Sequence, residues 1–129
     1  MITILYIEDD SIEQLKFKKL VQKEFPEIKL YIKSNGEEGL VFLKQMQEKI
    51  NLIILDLNMP KVSGFEFLEL NHFIKVSRVV VVTSSSNDRD MERLEKMGAT
   101  AYFVKPLRLE EYNELLKSIL TFYSKNKLL

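Results

Sequence analysis

The sequence predicts an α/β fold in which helices cover both faces of a five-stranded parallel sheet. Five short apolar segments alternate with segments whose apolar residues recur at helical spacing, and this alternation favours a doubly wound sheet with right-handed crossovers. One strand segment, residues 52–55, is an unbroken aliphatic run, which is typical of a strand buried on both faces. The length of 129 residues suits one domain with a single core.

The first strand and the first helix are predicted close to the amino-terminal end. Residues 2–7 form an apolar run that ends at the acidic residues 8–10. Ser11 is predicted to begin a helix, with Gln14 three residues later completing a capping box. Pro26 ends this helix, because the residue before a proline disfavours the helical conformation.

A second strand, a second helix and the third strand follow. Residues 28–32 predict the second strand, although Lys29 interrupts its apolar pattern. A turn at residues 34–36 leads into the second helix. The apolar face of that helix is formed by Leu40, Leu43 and Met46. The third strand is residues 52–55, and the chain then turns at Pro60.

The next part of the chain repeats this alternation. Ser63 or Gly64 is predicted to start a third helix. The apolar residues of that helix are Phe67, Leu68, Leu70 and Ile74. Residues 78–83 are strongly β-branched and predict the fourth strand. A fourth helix starts among the polar residues 84–87 and has Gly98 at its C′ position.

The fifth strand and the last helix complete the predicted fold. Residues 101–104 form a short strand that ends at Lys105 and Pro106. The last helix has the clearest periodicity. Its apolar positions are Leu109, Tyr112, Leu116, Ile119 and Tyr123. We expect residues 1–124 to form the domain and residues 125–129 to be a short polar tail.

Composition excludes several classes of function. Lysine plus arginine and aspartate plus glutamate both number 19, so no net charge favours nucleic acid or an anionic membrane. The chain has no cysteine and a single histidine, His72, which excludes thiol chemistry and multi-histidine metal sites. The sequence shows neither a signal-peptide pattern nor an apolar run of about 18 residues, so a cytoplasmic location is expected.

Polar side chains follow the predicted strands at the points where the strands end. They are Glu8 and Asp9 after the first strand, Asp56 after the third, Thr83 in the fourth and Lys105 after the fifth. Because the carboxyl ends of parallel strands lie along one edge, these side chains are expected to converge in one crevice. Neighbouring carboxylates repel one another and invite a hard cation such as Mg²⁺. The lysine and the hydroxyl suit a phosphoryl group, so the arrangement predicts phosphoryl transfer, with a carboxylate as candidate acceptor.

Each of these residues also has a purely structural interpretation, which assigns it no role in binding or catalysis. The acidic residues 8–10 suit the positive end of the first helix, and Asp56 suits a turn before Pro60. Thr83 is an ordinary strand residue, and Lys105 is an ordinary loop lysine. Their joint occurrence, in order, at four strand ends favours the functional interpretation.

Four motifs occur in order along the chain: ILYIEDD at residues 4–10, LDLNMP at 55–60 followed by Gly64, VTS at 82–84, and YFVKP at 102–106. Together they resemble the receiver domains of two-component response regulators, the CheY-like family, and the resemblance covers nearly the whole chain. It implies a flavodoxin-like sheet with the strand order 2-1-3-4-5.

The resemblance also implies roles for individual residues. Asp56 is expected to accept a phosphoryl group from a histidine kinase or a histidine phosphotransfer protein. Glu8, Asp9, Asp56 and the backbone carbonyl of Asn58 are expected to bind Mg²⁺. Lys105 is expected to pair with the phosphoryl oxygens. Many family members carry aspartate at the position of Glu8, a variation that leaves metal binding intact.

A conformational switch is implied as well. Thr83 is expected to hydrogen-bond the phosphoryl group, and Tyr102 to change rotamer as Thr83 moves. The fourth helix, the fifth strand and the fifth helix would form the surface that a downstream protein reads. The peptide bond before Pro106 is expected to be cis, as is common in the family.

The resulting hypothesis is a stand-alone receiver that acts by protein–protein contact, without DNA binding or membrane insertion, and that is not a conventional enzyme. One rival is a phosphate-independent pseudo-receiver that serves as a binding module. A second is a haloacid-dehalogenase-like phosphatase, which would carry a second aspartate where this sequence has Asn58. The sequence is also compatible with a piece of a longer protein such as a hybrid kinase.

Overall fold

The computed structural model describes residues 2–46, 48–57, 66–67, 78–83, 88–99, 101–106 and 108–125. The strands in this part of the chain are β1 (Thr3–Ile7), β2 (Lys29–Lys33), β3 (Leu52–Asp56), β4 (Arg78–Thr83) and β5 (Ala101–Val104). The helices whose bounds lie within the described residues are α1 (Ser11–Glu24), α2 (Gly36–Gln45), α3 (Asp88–Lys96) and α4 (Leu109–Lys125). Glu66 and Phe67 are helical, and the remainder of the predicted third helix lies outside the described residues.

The five strands form one parallel sheet in the order β2-β1-β3-β4-β5, as the resemblance implied. The register aligns the carboxyl ends of the strands along one edge. Ile7 pairs with both Lys33 and Leu55, and Thr83 pairs with Val104. The chain segments that follow the three central strands, β1, β3 and β4, therefore all lie at this edge of the sheet.

The core lies on both faces of the sheet, because successive strand residues point to opposite sides. One face packs against α2 through Leu40 and Leu43, and the other packs against α1 and α4 through Phe17, Tyr112 and Leu116. All five residues of β3 are buried. The predicted doubly wound α/β architecture is thus confirmed.

Several local features differ from the predictions. Helix α1 begins at Ser11 as predicted, but its N-cap is Asp10, whose side chain accepts hydrogen bonds from the amides of Ile12 and Glu13, so Ser11 is not the cap of a capping box. Gln14 completes no capping box and donates instead to the carbonyl of Glu8. The aspartate carboxylate is an equally good cap and bonds two amides of the first turn.

Other differences concern strand and turn geometry. Strand β2 begins one residue later than predicted, because the amide of Ile28 donates to the carbonyl of Phe25 and is used by the preceding turn. The described residues contain no cis peptide bond, so the expectation for Pro106 is wrong, and the bond has the intrinsically favoured trans form. Gly98 has a φ of 95° just after α3, in agreement with its predicted C′ role. Among the described residues, no helix has the length and apolar character needed to cross a membrane.

Candidate functional site

The crevice at the carboxyl edge of the sheet is formed by residues from four strand ends. Glu8 follows β1, Asp56 ends β3 and Thr83 ends β4, and all three are buried. Asp9 is exposed at the mouth of the crevice. The structure therefore brings buried and exposed carboxylates together at the predicted edge.

Backbone hydrogen bonds continue the sheet beyond the ends of the strands. The amide of Glu8 donates to the carbonyl of Lys33 at 3.0 Å, and the amide of Lys105 donates to the carbonyl of Thr83 at 2.6 Å. These bonds hold Glu8 and Lys105 in line with their strands. Their side chains therefore start from rigid backbone positions, which favours a preorganised site.

Three carboxylates form a cluster that fits a divalent cation. Glu8, Asp9 and Asp56 each offer one oxygen, and these oxygens lie within 4.8 Å of one another. The second oxygen of Glu8, Oε2, is buried and has no hydrogen-bond partner among the described residues. A buried carboxylate oxygen without a donor is costly, and a metal ion bound by oxygen ligands would satisfy it.

Lys105 lies beside this cluster and contacts three carboxylates, two of which belong to it. Its Nζ is 3.2 Å from Asp56 Oδ2, 3.3 Å from Glu8 Oε1 and 3.3 Å from Glu13 Oε2. Glu13 was not among the predicted site residues. Its sequence signal is its place in the first turn of α1, the helix that starts at this edge of the sheet.

The charges in the crevice strongly affect one another. Burial, followed by the neighbouring carboxyls of Glu13 and Asp56, raises the pKa of Glu8 to about 10. Burial alone would lower the pKa of Lys105, but Asp56 and Glu8 outweigh it and raise that pKa above its usual range. Without a bound cation, burial and the neighbouring carboxyls therefore disfavour the ionised form of Glu8, while Lys105 stays charged.

An aromatic pair lies beneath the ammonium group. Lys105 Nζ is 5.4 Å from the centroid of the Tyr112 ring, a cation–π distance. The Tyr112 hydroxyl is 2.9 Å from the hydroxyl of Tyr6, and this hydrogen bond is buried. Burial raises the pKa of both tyrosines, so both are neutral. Sequence periodicity identified Tyr112 only as a core position, because nothing local to α4 reveals its contact with Lys105.

The remaining predicted site residues are placed differently. Tyr102 lies on β5 with 38% of its surface exposed, whereas Thr83 is almost completely buried. Asn58, the predicted carbonyl ligand, lies outside the described residues. His72, to which no function was assigned, lies outside them as well.

Comparison with known sequences identifies the family to which this arrangement corresponds. The model of the response regulator receiver domain matches residues 4–117. The probable C4-dicarboxylate response regulator DctR of Halalkalibacterium halodurans is 32% identical to this chain. The match covers 95% of this chain and 51% of DctR. The response regulator Rcp1 of Synechocystis is 29% identical, and the match covers 93% of this chain and 87% of Rcp1. The chain spans about half the length of the first curated relatives it matches.

Solved structures show the same fold. The Mn²⁺-bound form of response regulator Rcp1 superimposes with a TM-score of 0.84 at 27% identity, covering 95% of this chain and 94% of the other. A receiver domain from Rhodospirillum rubrum gives a TM-score of 0.85 at 25% identity, with the same coverage. The chain thus shares its fold with solved response regulators, one of them in a Mn²⁺-bound form.

Proposed function

Because this chain belongs to the response regulator receiver domain family, we propose that Asp56 is the side chain that accepts the phosphoryl group from a histidine kinase or a histidine phosphotransfer protein. The observation that carries this proposal is the contact between Asp56 and Lys105 at 3.2 Å, beside the carboxylates of Glu8 and Asp9. This is the combination of nucleophile, cation and metal-binding oxygens that phosphoryl transfer to a carboxylate needs.

In the proposed reaction, a carboxylate oxygen of Asp56 attacks the phosphorus of a phosphohistidine. The P–O bond forms as the P–N bond breaks, and the imidazole leaves and takes up a proton from water. Lys105 pairs with the phosphoryl oxygens and offsets the charge gathered on them. Water later attacks the phosphorus, which releases phosphate and restores the carboxylate. Receiver domains are signalling modules and not conventional enzymes, and Asp56 is proposed to be regenerated by this hydrolysis.

The proposed metal is Mg²⁺, held by the carboxylates of Glu8, Asp9 and Asp56 and by the backbone carbonyl of Asn58. The buried Oε2 of Glu8 has no hydrogen-bond partner in the part of the chain that the structure describes, and the donor set consists of oxygen atoms; both support a hard cation. When bound, the ion supplies positive charge that neutralises the phosphoryl oxygens. Glu8 and Asp9 contribute by fixing that charge beside Asp56.

The proposed output is a change at the surface made by α3, β5 and α4. Thr83 is buried at the end of β4 and is proposed to turn its hydroxyl toward the phosphoryl oxygens. Tyr102 is on β5, the neighbouring strand, and is partly exposed. We propose that its ring moves inward as Thr83 moves, which changes the surface that a downstream protein contacts.

The test is phosphorylation of the purified protein by acetyl phosphate in the presence of Mg²⁺. Intact-mass spectrometry is expected to show a gain of one phosphoryl group in the wild type and none in Asp56→Asn. Beryllofluoride with Mg²⁺ is expected to form a complex with the wild type that ¹⁹F NMR detects. If the wild type gains no phosphoryl group and forms no beryllofluoride complex, the phosphate-independent binding module is the better description.

A further inference from the structure

Lys105 has three ammonium hydrogens and three carboxylate neighbours, so each hydrogen has one acceptor. Two of these neighbours, Glu8 and Asp56, also belong to the group of oxygens that fits a metal ion. Glu13 does not belong to that group, although it contacts Lys105 at 3.3 Å. Among the carboxylates that contact Lys105 in the described residues, Glu13 is therefore the one that is not also a candidate metal ligand.

The position of Glu13 is set by the start of α1. Its amide donates to the carboxylate of Asp10, the N-cap, so its backbone is anchored at the edge of the sheet. Its side chain is 21% exposed and that of Lys105 is 18% exposed. Because both groups are largely shielded from water, their attraction is screened less than that of a surface ion pair.

This arrangement has opposite consequences for a cation and for an anion. A metal ion needs the oxygens of Glu8 and Asp56, and Lys105 competes for them because it donates hydrogen bonds to both. Glu13 lessens that competition, because it also accepts a hydrogen bond from the ammonium group. A phosphoryl group on Asp56 needs the hydrogens of Lys105, and Glu13 competes for them. We propose that Glu13 is a positioning residue that holds Lys105 and thereby strengthens metal binding and weakens the capture of an anion at Asp56. The anion half of this inference rests on the proposed function.

The first experiment measures Mg²⁺ binding by isothermal titration calorimetry in wild type, Glu13→Gln and Glu37→Gln. Glu37 is a matched control, because it is an exposed acidic residue in the first turn of α2. Glu13→Gln is expected to raise the Kd for Mg²⁺ by about two- to fivefold, the range for one ion pair. Glu37→Gln is expected to leave it unchanged. An unchanged Kd in Glu13→Gln, or a wild type that binds no Mg²⁺, overturns the proposal.

The second experiment measures beryllofluoride binding at saturating Mg²⁺ by ¹⁹F NMR. Glu13→Gln is expected to bind this phosphoryl mimic about two- to fivefold more tightly than the wild type. A structural defect would weaken the binding of both Mg²⁺ and beryllofluoride. Weaker binding of both ligands by Glu13→Gln therefore contradicts the positioning role. If the wild type forms no beryllofluoride complex, the proposed function fails, and the calorimetry still decides whether Glu13 acts on the metal site.

Salt separates a direct contact from the general effect of removing one negative charge. In about 1 M salt, interactions between exposed charges are screened beyond about 3 Å, whereas a shielded contact persists. The difference in Mg²⁺ affinity between wild type and Glu13→Gln is therefore expected to survive at high salt. If the difference disappears, Glu13 acts through the overall field and does not position Lys105.

Discussion

Glu8 is a carboxyl group whose surroundings disfavour its negative charge. It is 1% exposed, it lies against the carboxyls of Asp56 and Glu13, and one of its two oxygens has no partner among the described residues. Lys105 offsets only part of this repulsion. These surroundings favour the protonated form of the carboxyl, so binding of a cation at the proposed metal site would be linked to release of a proton.

This link predicts that the metal-free protein becomes less stable as pH rises. The pKa of Glu8 is about 10 in the folded protein and about 4.3 in an unfolded chain. Between these values the folded state binds more protons than the unfolded state, so the free energy of unfolding falls with pH, by at most about 1.4 kcal/mol per pH unit for one proton. Urea unfolding at several pH values, with chelator present, measures the slope.

Glu8→Gln is the control for this prediction, because it keeps the size of the side chain and removes its titration. The decline of stability with pH is expected to be much smaller in Glu8→Gln than in the wild type. An equal decline in both proteins would mean that other groups carry the pH dependence.

At the scale of elements, the acidic run at residues 8–10 divides its three carboxylates between two tasks. Glu8 and Asp9 each contribute an oxygen to the carboxylate cluster that could hold a metal ion. Asp10 instead caps α1 by accepting hydrogen bonds from two amides of the first turn. The helix-capping interpretation of the run therefore describes Asp10, whereas Glu8 and Asp9 lie together with Asp56 in the carboxylate cluster. The end of β1 and the start of α1 are so close that one short turn serves both elements.

We expect Asp10→Ala to destabilise the protein by about 1 kcal/mol, because the first-turn amides lose their acceptor. Asp10→Asn keeps an acceptor oxygen and is expected to retain most of the stability. Neither change is expected to alter Mg²⁺ affinity appreciably, since Asp10 is not in the cluster. Chemical denaturation and calorimetry measure the two quantities. A loss of Mg²⁺ affinity comparable to that of a ligand substitution would show that Asp10 acts in the metal site.

At the scale of the whole molecule, the proposed metal site joins strand ends that are distant in sequence. The chain has no net charge, yet the carboxyl edge of the sheet gathers carboxylates from β1, β3 and their adjoining segments. Unfolding separates these groups, so the site exists only in the folded protein. A ligand that binds only the folded state stabilises it in proportion to the logarithm of its concentration.

Mg²⁺ is accordingly expected to raise the free energy of unfolding, by about 2.7 kcal/mol at a concentration 100 times the Kd. Asp9→Asn is expected to reduce this gain. Because Asp9 is exposed, the same change is expected to alter the stability of the metal-free protein by less than about 0.5 kcal/mol. Thermal unfolding with and without Mg²⁺ makes the comparison. An equal gain from Mg²⁺ in both proteins would remove Asp9 from the metal site.

The sequence by itself determined the strands, most helix boundaries and the edge at which the polar residues gather. These properties follow from local patterns, namely apolar runs such as residues 52–55, helical spacing, and turn residues such as Gly98. Only the tertiary structure decided which charges meet. Lys105 contacts Glu13 across 92 positions of sequence and lies over the ring of Tyr112. Such contacts depend on how helices dock on the sheet, and the periodicity of a single element carries no information about the side chains of another.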